Sequence, residues 1–214
     1  MADYRAIADA LMAGRAKKVK ELVEAALQEG CNAEEILNQG LITGMSEIGV
    51  LFKNNEVYVP EVLVAARAMY AGLNLIKPIL AEKDVAPAGV VAIGTVKGDL
   101  HDIGKNLVAM MLEGNGFKVI DLGIDVGPEK FLDAVVNQGA QIVAMSALLT
   151  TTMPTMRDTI VALEQAGVRD KVKVMVGGAP VTDSFAKEIG ADGYSSDAAS
   201  AAELALRLIK ELEA

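Results

Sequence analysis

Apolar residues in the first third of the chain return every three or four positions. Leu37, Leu41, Met45, Ile48 and Phe52 form one such series, and Val62, Ala66, Met69, Leu73 and Ile76 form a second. That spacing lines one side of an α-helix. Start and stop signals agree with it: Gly30 closes the preceding helix, Asn32 with Glu35 three residues on is a capping-box pair, and Pro60 is tolerated in the first turn of the next helix. With two shorter helices upstream, the pattern predicts a four-helix bundle of about 80 residues with short connections. The texture breaks at "AEKDVAPAG", residues 81–89, where charge, Pro87 and Gly89 interrupt the periodicity and predict a linker.

Beyond residue 89 short β-rich runs alternate with helical ones. "GVVAIGTV" precedes a helix from about Gly104, "FKVIDLG" a helix opened by Pro128, "QIVAMSAL" a helix after Pro154, and "KVKVMVGG" a helix near Phe185. A brief "ADGYSS" then leads into a last helix. Parallel strands need crossover connections, so this order predicts a parallel sheet with helices on both faces. The strand runs lack in/out alternation, as expected of strands buried on both sides. The predicted architecture is therefore α/β: a four-helix bundle over residues 1–85, then a flavodoxin-like (Rossmann-like) doubly wound five-stranded parallel sheet over 86–214.

Composition narrows the function. Twenty Lys plus Arg against 29 Asp plus Glu leave a formal net charge of −9, which repels nucleic-acid backbones and anionic lipid head groups. The single cysteine, Cys31, excludes an internal disulfide and any Cys-rich zinc or iron–sulfur site, and suits a reducing compartment. The N-terminus, with Asp3, Arg5 and Asp9 among apolar residues, reads as an amphipathic helix and not a secretory signal. No apolar run is expected to be long enough to cross a bilayer. These features predict a cytoplasmic protein with neither nucleic acid nor a membrane as partner.

The unusual residues fall after the strands, where ligands bind in open parallel sheets. Asp99 and His101, the one imidazole in the chain, follow the first strand. Ser146 with Thr150 and Thr152 follows the third, and Gly177 and Gly178 follow the fourth. Each has an ordinary explanation: a solvated loop histidine, Asp99 capping the helix near Gly104, a strand-end hydroxyl at Ser146, threonines in a turn and N-cap, and glycines in a tight turn. Their conjunction points elsewhere. An imidazole that donates one ring N–H to a neighbouring carboxylate keeps a lone pair on the other nitrogen, which is how a metal-ligating histidine is held. With one histidine and one cysteine the chain is poorly supplied for a protein-only transition-metal site, so the metal must arrive in a cofactor carrying its own equatorial donors. Small residues on adjacent loops leave room for a bulky group. Rival chemistries lack their motifs: "GTVKGD" is not G-x-G-x-x-G, "AMSAL" is not G-x-S-x-G, a receiver needs an Asp where Ser146 stands, and two-metal hydrolases need more than one histidine.

Asp99, His101 and Gly104 spell D-x-H-x-x-G, Ser146 and Leu148 spell S-x-L, and Gly177 with Gly178 supplies paired glycines. In this order the three motifs resemble those of cobalamin-binding domains of the base-off, histidine-on type. The segment "GMSEIGVLFKNNEVYVPEVLVAARAM" resembles the helical cap of methionine synthase and of small corrinoid proteins in anaerobic methyltransferase systems. With nearly the whole chain covered, the chain is most similar to a small corrinoid carrier of one-carbon metabolism.

The resemblance implies that His101 is the lower axial ligand of cobalt in a cobalamin or related corrinoid, displacing its dimethylbenzimidazole. It implies that Asp99 holds the far nitrogen of His101 and that Thr152, where methionine synthase has Ser, extends this chain. Ser146 is implied to bond the displaced base, whose nucleotide tail passes Leu148, Thr150, Gly177 and Gly178. Phe52, Val59 and Val62 match positions that cover the upper cobalt face, although at helical spacing Phe52 and Val62 equally suit bundle core, and Met45 and Met69 read as core.

The implied activity is methyl carriage. Co(I) accepts a methyl group from a substrate:corrinoid methyltransferase, and methyl-Co(III) delivers it to a second, corrinoid:acceptor methyltransferase serving tetrahydrofolate or coenzyme M. A reductive activase is an implied third partner, and overall likeness points toward a methylamine or quaternary amine as donor. Such a chain is a non-catalytic subunit of a multi-component system. A released His101 can take up a proton that the Asp99 carboxylate favours, and linker 81–89 can act as a hinge. Alternatives are a cobalamin-dependent sensor, a detached mutase subunit, and a flavodoxin-like domain without corrinoid. The first lacks a basic DNA-binding region to serve, and the helical half argues against the second.

Overall fold

The computed structural model of the chain describes residues 3–82 and 86–213. Two compact units divide the chain, Met1–Ala86 and Pro87–Ala214. The expected linker 81–89 and the expected boundary after residue 85 fall in part outside the described residues.

The first unit is helical: α1 (Tyr4–Met12), α2 (Ala16–Gln28), α3 (Ala33–Glu35), α4 (Thr43–Lys53) and α5 (Val59–Glu82), with a π-helical segment, Ile36–Ile42, joining α3 to α4. Residues 33–53 are thus one continuous rod, and four rods make the bundle. The π segment changes the expected core. Its wider turns rotate the buried side, so Ile36 and Gly40 are enclosed while Leu37 is half-buried. Leu41, Met45 and Ile48 resume the predicted stripe in full burial. The capping box forms only in half. Asn32 Oδ1 accepts from Glu34 N–H at 3.1 Å, but Glu35 accepts from the Tyr4 hydroxyl at 2.8 Å instead of folding back. That contact ties α1 to the start of the third rod.

Helix α5 corrects one expectation. Its stretch Val59–Leu80 has 22 residues at a mean hydropathy of 1.3, enough by length and composition to cross a membrane. A core helix in a bundle meets the same test, because it too is apolar over most of its surface. Val62, Ala65, Ala66, Ala68, Met69 and Ile76 are buried, whereas Glu61, Arg67 and Lys77 lie on the exposed side.

The second unit alternates strand and helix: β1 (Val90–Val96), α6 (Ile103–Gly114), β2 (Lys118–Val126), α7 (Pro128–Gln138), β3 (Ile142–Ser146), α8 (Pro154–Gln165), β4 (Lys173–Gly177), α9 (Asp183–Glu188), β5 (Gly193–Ser195) and α10 (Ala198–Glu213). All pairs are parallel and the order is β2-β1-β3-β4-β5, the flavodoxin-like arrangement. Strand order therefore reverses between β1 and β3, and the loops after these two strands flank the switch point. Two cores sandwich the sheet. Val91, Ile93, Ile142 and Met175 meet Leu112 of α6 and Leu204 and Leu208 of α10. On the other face Val96, Val143, Met145 and Val174 meet Phe131 of α7 and Met156, Ile160 and Leu163 of α8.

Strands β1, β3 and β4 are buried nearly throughout, as their unbroken apolar runs require. The edge strand β2 departs from that expectation, being exposed or half-buried at all but Val126, and it runs three residues past the predicted "FKVIDLG". Its extension carries Asp125.

Phe131 is fully buried among β-strand side chains. Truncating it to alanine leaves a large cavity, so F131A is expected to lower unfolding stability by about 3–5 kcal/mol, read from urea denaturation of the cofactor-free protein.

Candidate functional site

Beyond Val96 the chain turns through residues 97–102 before entering α6. Within this loop Asp99 is entirely buried, while Leu100 and Ile103 are 68% and 76% exposed. A buried carboxylate must collect donors, and Asp99 has five. Its Oδ1 accepts from the His101 N–H at 3.2 Å and stands 2.9 Å from His101 Nδ1. Its Oδ2 accepts from the backbone N–H groups of Leu148 at 2.7 Å and Leu149 at 3.1 Å, and from the Thr152 hydroxyl at 3.0 Å. One carboxylate thus bridges the two loops that flank the switch point.

Burial pushes the Asp99 carboxyl up, but donation from Leu148 N–H, the His101 ring, His101 N–H and Leu149 N–H outweighs it and holds the group well below the ordinary carboxylate range. Asp99 is therefore a fixed negative charge. With the carboxylate accepting at Nδ1, the His101 tautomer carries its proton there and leaves the Nε2 lone pair uncommitted. The His101 side chain is 56% exposed, so it remains accessible from outside.

Two ordinary explanations are corrected by this geometry. The N-cap of α6 is Asp102, not Asp99. Thr152 does not cap α8, whose N-cap is Met153; its hydroxyl lies between Asp99 Oδ2 and the Leu149 carbonyl, 2.8 Å away, and has one proton for two acceptors.

The remaining candidates sort by loop. Ser146 ends β3, in register with Thr95 of β1 and Gly177 of β4. The paired glycines serve close approach: Gly178 has φ +121°, and a Cβ there would stand 1.9 Å from the Ala147 carbonyl oxygen. Only glycine admits that contact. Gly104 is the opposite case, since it is helical, and a Cβ there would meet nothing within 4 Å. Its own fold gives no reason for a residue that weakens the first turn of α6, so the open space suits a ligand. Thr150, Leu148 and Leu149 are exposed on the same loop. Phe52, Val59 and Val62 belong to the first unit, where Phe52 is half-buried, Val59 exposed and Val62 enclosed.

Several contributors escape sequence reasoning. Buried Thr95 donates its hydroxyl to the His101 carbonyl at 2.7 Å. Backbone amides of Leu148 and Leu149 leave no trace in a motif. Lys105 is buried and donates to both Asp121 carboxylate oxygens at 2.6 Å, a pair spread over a helix and a strand. Asp121 in the middle of "VIDLG" could have been flagged as a charge in an apolar run.

Among the described residues no group of three or more His, Cys, Asp and Glu side chains could hold a metal ion. A metal held at His101 would need its other donors from a cofactor. One imidazole nitrogen, exposed apolar side chains at Leu100, Ile103, Leu148 and Leu149, and open space at Gly104 fit a broad, flat, largely apolar group.

Residues 89–203 match a family model described as a B12 binding domain, and residues 4–77 match a second model of the same description. The chain is 42% identical to the dimethylamine corrinoid protein 3 of Methanosarcina acetivorans over 95% of each sequence. It is 45% identical to the trimethylamine corrinoid protein of Methanosarcina barkeri, over 84% of this chain and 83% of that one. Among solved structures, a cobalamin-binding protein from Desulfitobacterium hafniense superposes with a TM-score of 0.82 at 32% identity, covering 97% of this chain and 99% of the other. A chain of the methanol:cobalamin methyltransferase complex from Methanosarcina barkeri gives 0.84 at 31% identity, covering 97% and 79%.

A carboxyl whose native pKa lies below its unfolded value contributes stability that is complete above the unfolded value and is lost as pH falls through the native one. Asp99→Asn turns one acceptor oxygen into a donor facing donors. It is expected to be less stable than the wild type by about 2–3 kcal/mol at neutral pH, with the gap closing from about pH 4 downward. Urea unfolding across pH measures this, and a gap unchanged down to acid pH contradicts the assigned charge.

Proposed function

The chain belongs to the B12-binding family, its cofactor is a corrinoid, and from that premise we propose that it is a methyl carrier whose His101 Nε2 is the lower axial donor to cobalt. The carrying observation is the 2.9 Å contact of His101 Nδ1 with buried Asp99, which leaves Nε2 uncommitted on a side chain that is 56% exposed. Bound cobalt supplies a nucleophile able to take a methyl group from one donor and yield it to another acceptor.

The residues of the chain do the holding. Asp99 fixes the tautomer and orientation of His101. Asp99 stays charged, so it remains an acceptor for the ring N–H of His101. Thr152, with one proton between Asp99 and the Leu149 carbonyl, can shift its donation from one to the other. Gly104 leaves the first turn of α6 open beside the cofactor. Ser146, Leu148, Thr150, Gly177 and Gly178 line the path of the displaced base and its nucleotide tail, as the family motif implies. The family motif implies that Phe52, half-buried, and Val59, exposed, serve toward the cofactor from the helical unit, whereas Val62 is enclosed within the bundle and is core. The helical unit over 1–85 is thereby a cap, and 86–214 the cofactor domain.

The partners follow from the work of a carrier. A substrate:corrinoid methyltransferase loads it, a corrinoid:acceptor methyltransferase serving tetrahydrofolate or coenzyme M unloads it, and a reductive activase rescues oxidised cobalt. Relatives named for dimethylamine and trimethylamine support a methylamine-class donor. A cytoplasmic location suits such partners.

The test begins with cofactor-free protein mixed with hydroxocobalamin. Wild type is expected to retain it, and His101→Ala to show an altered visible spectrum with cofactor affinity lowered about 10–100-fold. Transfer of a labelled methyl group to an acceptor methyltransferase then separates carrier from sensor. An unchanged spectrum in the variant removes the axial assignment, and a loaded wild type that releases nothing to any acceptor enzyme removes the carrier.

A further inference from the structure

Asp125 fastens the start of the histidine loop to the edge strand. Its Oδ1 accepts from Gly98 N–H at 2.7 Å, and its own N–H donates to the Asp99 carbonyl at 3.1 Å. One residue therefore grips both positions that lead into Leu100 and His101. It does so at φ +53°, a left-handed conformation that residues with a Cβ seldom adopt, and one that asparagine and aspartate tolerate best. The pairing of β1 with β2 sets up this bend. Ile93 lies opposite Asp121, Gly94 opposite Gly123 and Val96 opposite Val126, so β2 carries two more residues than β1 over the same span. Bulges of this kind bend a strand and re-aim its side chains, and they concentrate beside functional sites. The first of them displays Asp121, whose carboxylate receives buried Lys105 from α6 and also accepts from Gly123 N–H at 2.9 Å. The loop is thus tethered to β2 on both sides, at 98–99 by Asp125 and at 105 by Asp121. Neither tether involves the Asp99 carboxylate.

We propose that Asp125 is a positioning residue for the axial histidine. Five donors must converge on one carboxylate, three of them from the loop after β3, and they meet it only if the Asp99 backbone is held at one depth. The side chain of Asp125 fixes the residue before Asp99, and its amide fixes the Asp99 carbonyl. The bulged edge of β2 therefore determines how far His101 projects. This inference rests on His101 as the cobalt donor, and it adds a residue outside every motif that identifies the site.

Two variants separate the side chain from the backbone bend. Asp125→Gly removes the acceptor for Gly98 N–H and keeps the left-handed conformation available, whereas Asp125→Asn keeps both. Each full-length protein is loaded with cobalamin and reduced to cobalt(II), where an axial nitrogen splits the electron paramagnetic resonance lines. Wild type and Asp125→Asn are expected to show the split signal, and in Asp125→Gly the ratio of histidine-bound to histidine-free cobalt falls about fivefold. Amide exchange of Gly98 in the cofactor-free protein is expected to accelerate in the glycine variant alone. A purely structural role would lower the melting temperature and leave the bound ratio as it is, which overturns the proposal. So does a glycine variant indistinguishable from wild type. A wild type without nitrogen splitting, matched by His101→Ala, instead removes the axial assignment itself and this inference with it.

Discussion

The arrangement depends on one negative charge taken out of water. Asp99 has no exposed surface, and an ionised carboxylate in that position is stable only when donors replace its hydration. Those donors come from two loops 49 to 53 residues apart in sequence. Ordering the loop after β3 and orienting the imidazole after β1 are consequently the same event. The carboxylate leaves the outer face of the imidazole unengaged, and that face is the chemical asset of the site.

Around this charge the backbone is packed tightly on one side and left open on the other. Gly178 brings the loop after β4 against the Ala147 carbonyl, closer than any side chain permits. Thr95, buried beneath the loop, returns its hydroxyl to the His101 carbonyl. Gly104, by contrast, faces empty space, and Leu100 and Ile103 keep apolar side chains in water. An apolar surface and a helix-weakening glycine are both unfavourable in the isolated chain, and both become useful when a flat apolar group covers them. The rigid side fixes the imidazole, and the open side leaves room for a ligand.

Legibility in the sequence followed the range of the interaction. Element types, the parallel sheet and the order of candidate loops could be read because they rest on local periodicity and on residues that punctuate the chain, such as Gly30, Pro60, Pro128 and Pro154. The contact between Asp99 and His101 could be read because the two sit in one short stretch. The π segment at Ile36–Ile42 was invisible, since its wider turns answer to packing and not to a residue pattern, and it moved Leu37 off the core side. The exposure of β2 was missed for a similar reason: an edge strand differs from a central one by its neighbours, which a run of apolar residues does not name.

By itself the sequence determined which chemistry was available. A chain with one histidine and one cysteine is poorly supplied for a transition-metal centre built from its own side chains, so such a metal would bring most of its donors with it. Tertiary structure decided which atoms do the holding. That the Leu148 and Leu149 amides, the Thr152 hydroxyl and the His101 ring meet on a single carboxylate depends on the strand order at the switch point. That Asp125 reaches Gly98 depends on two extra residues in an edge strand. Hydrogen bonds act over about 3 Å, and residues far apart in sequence come within that distance only when the sheet has assembled.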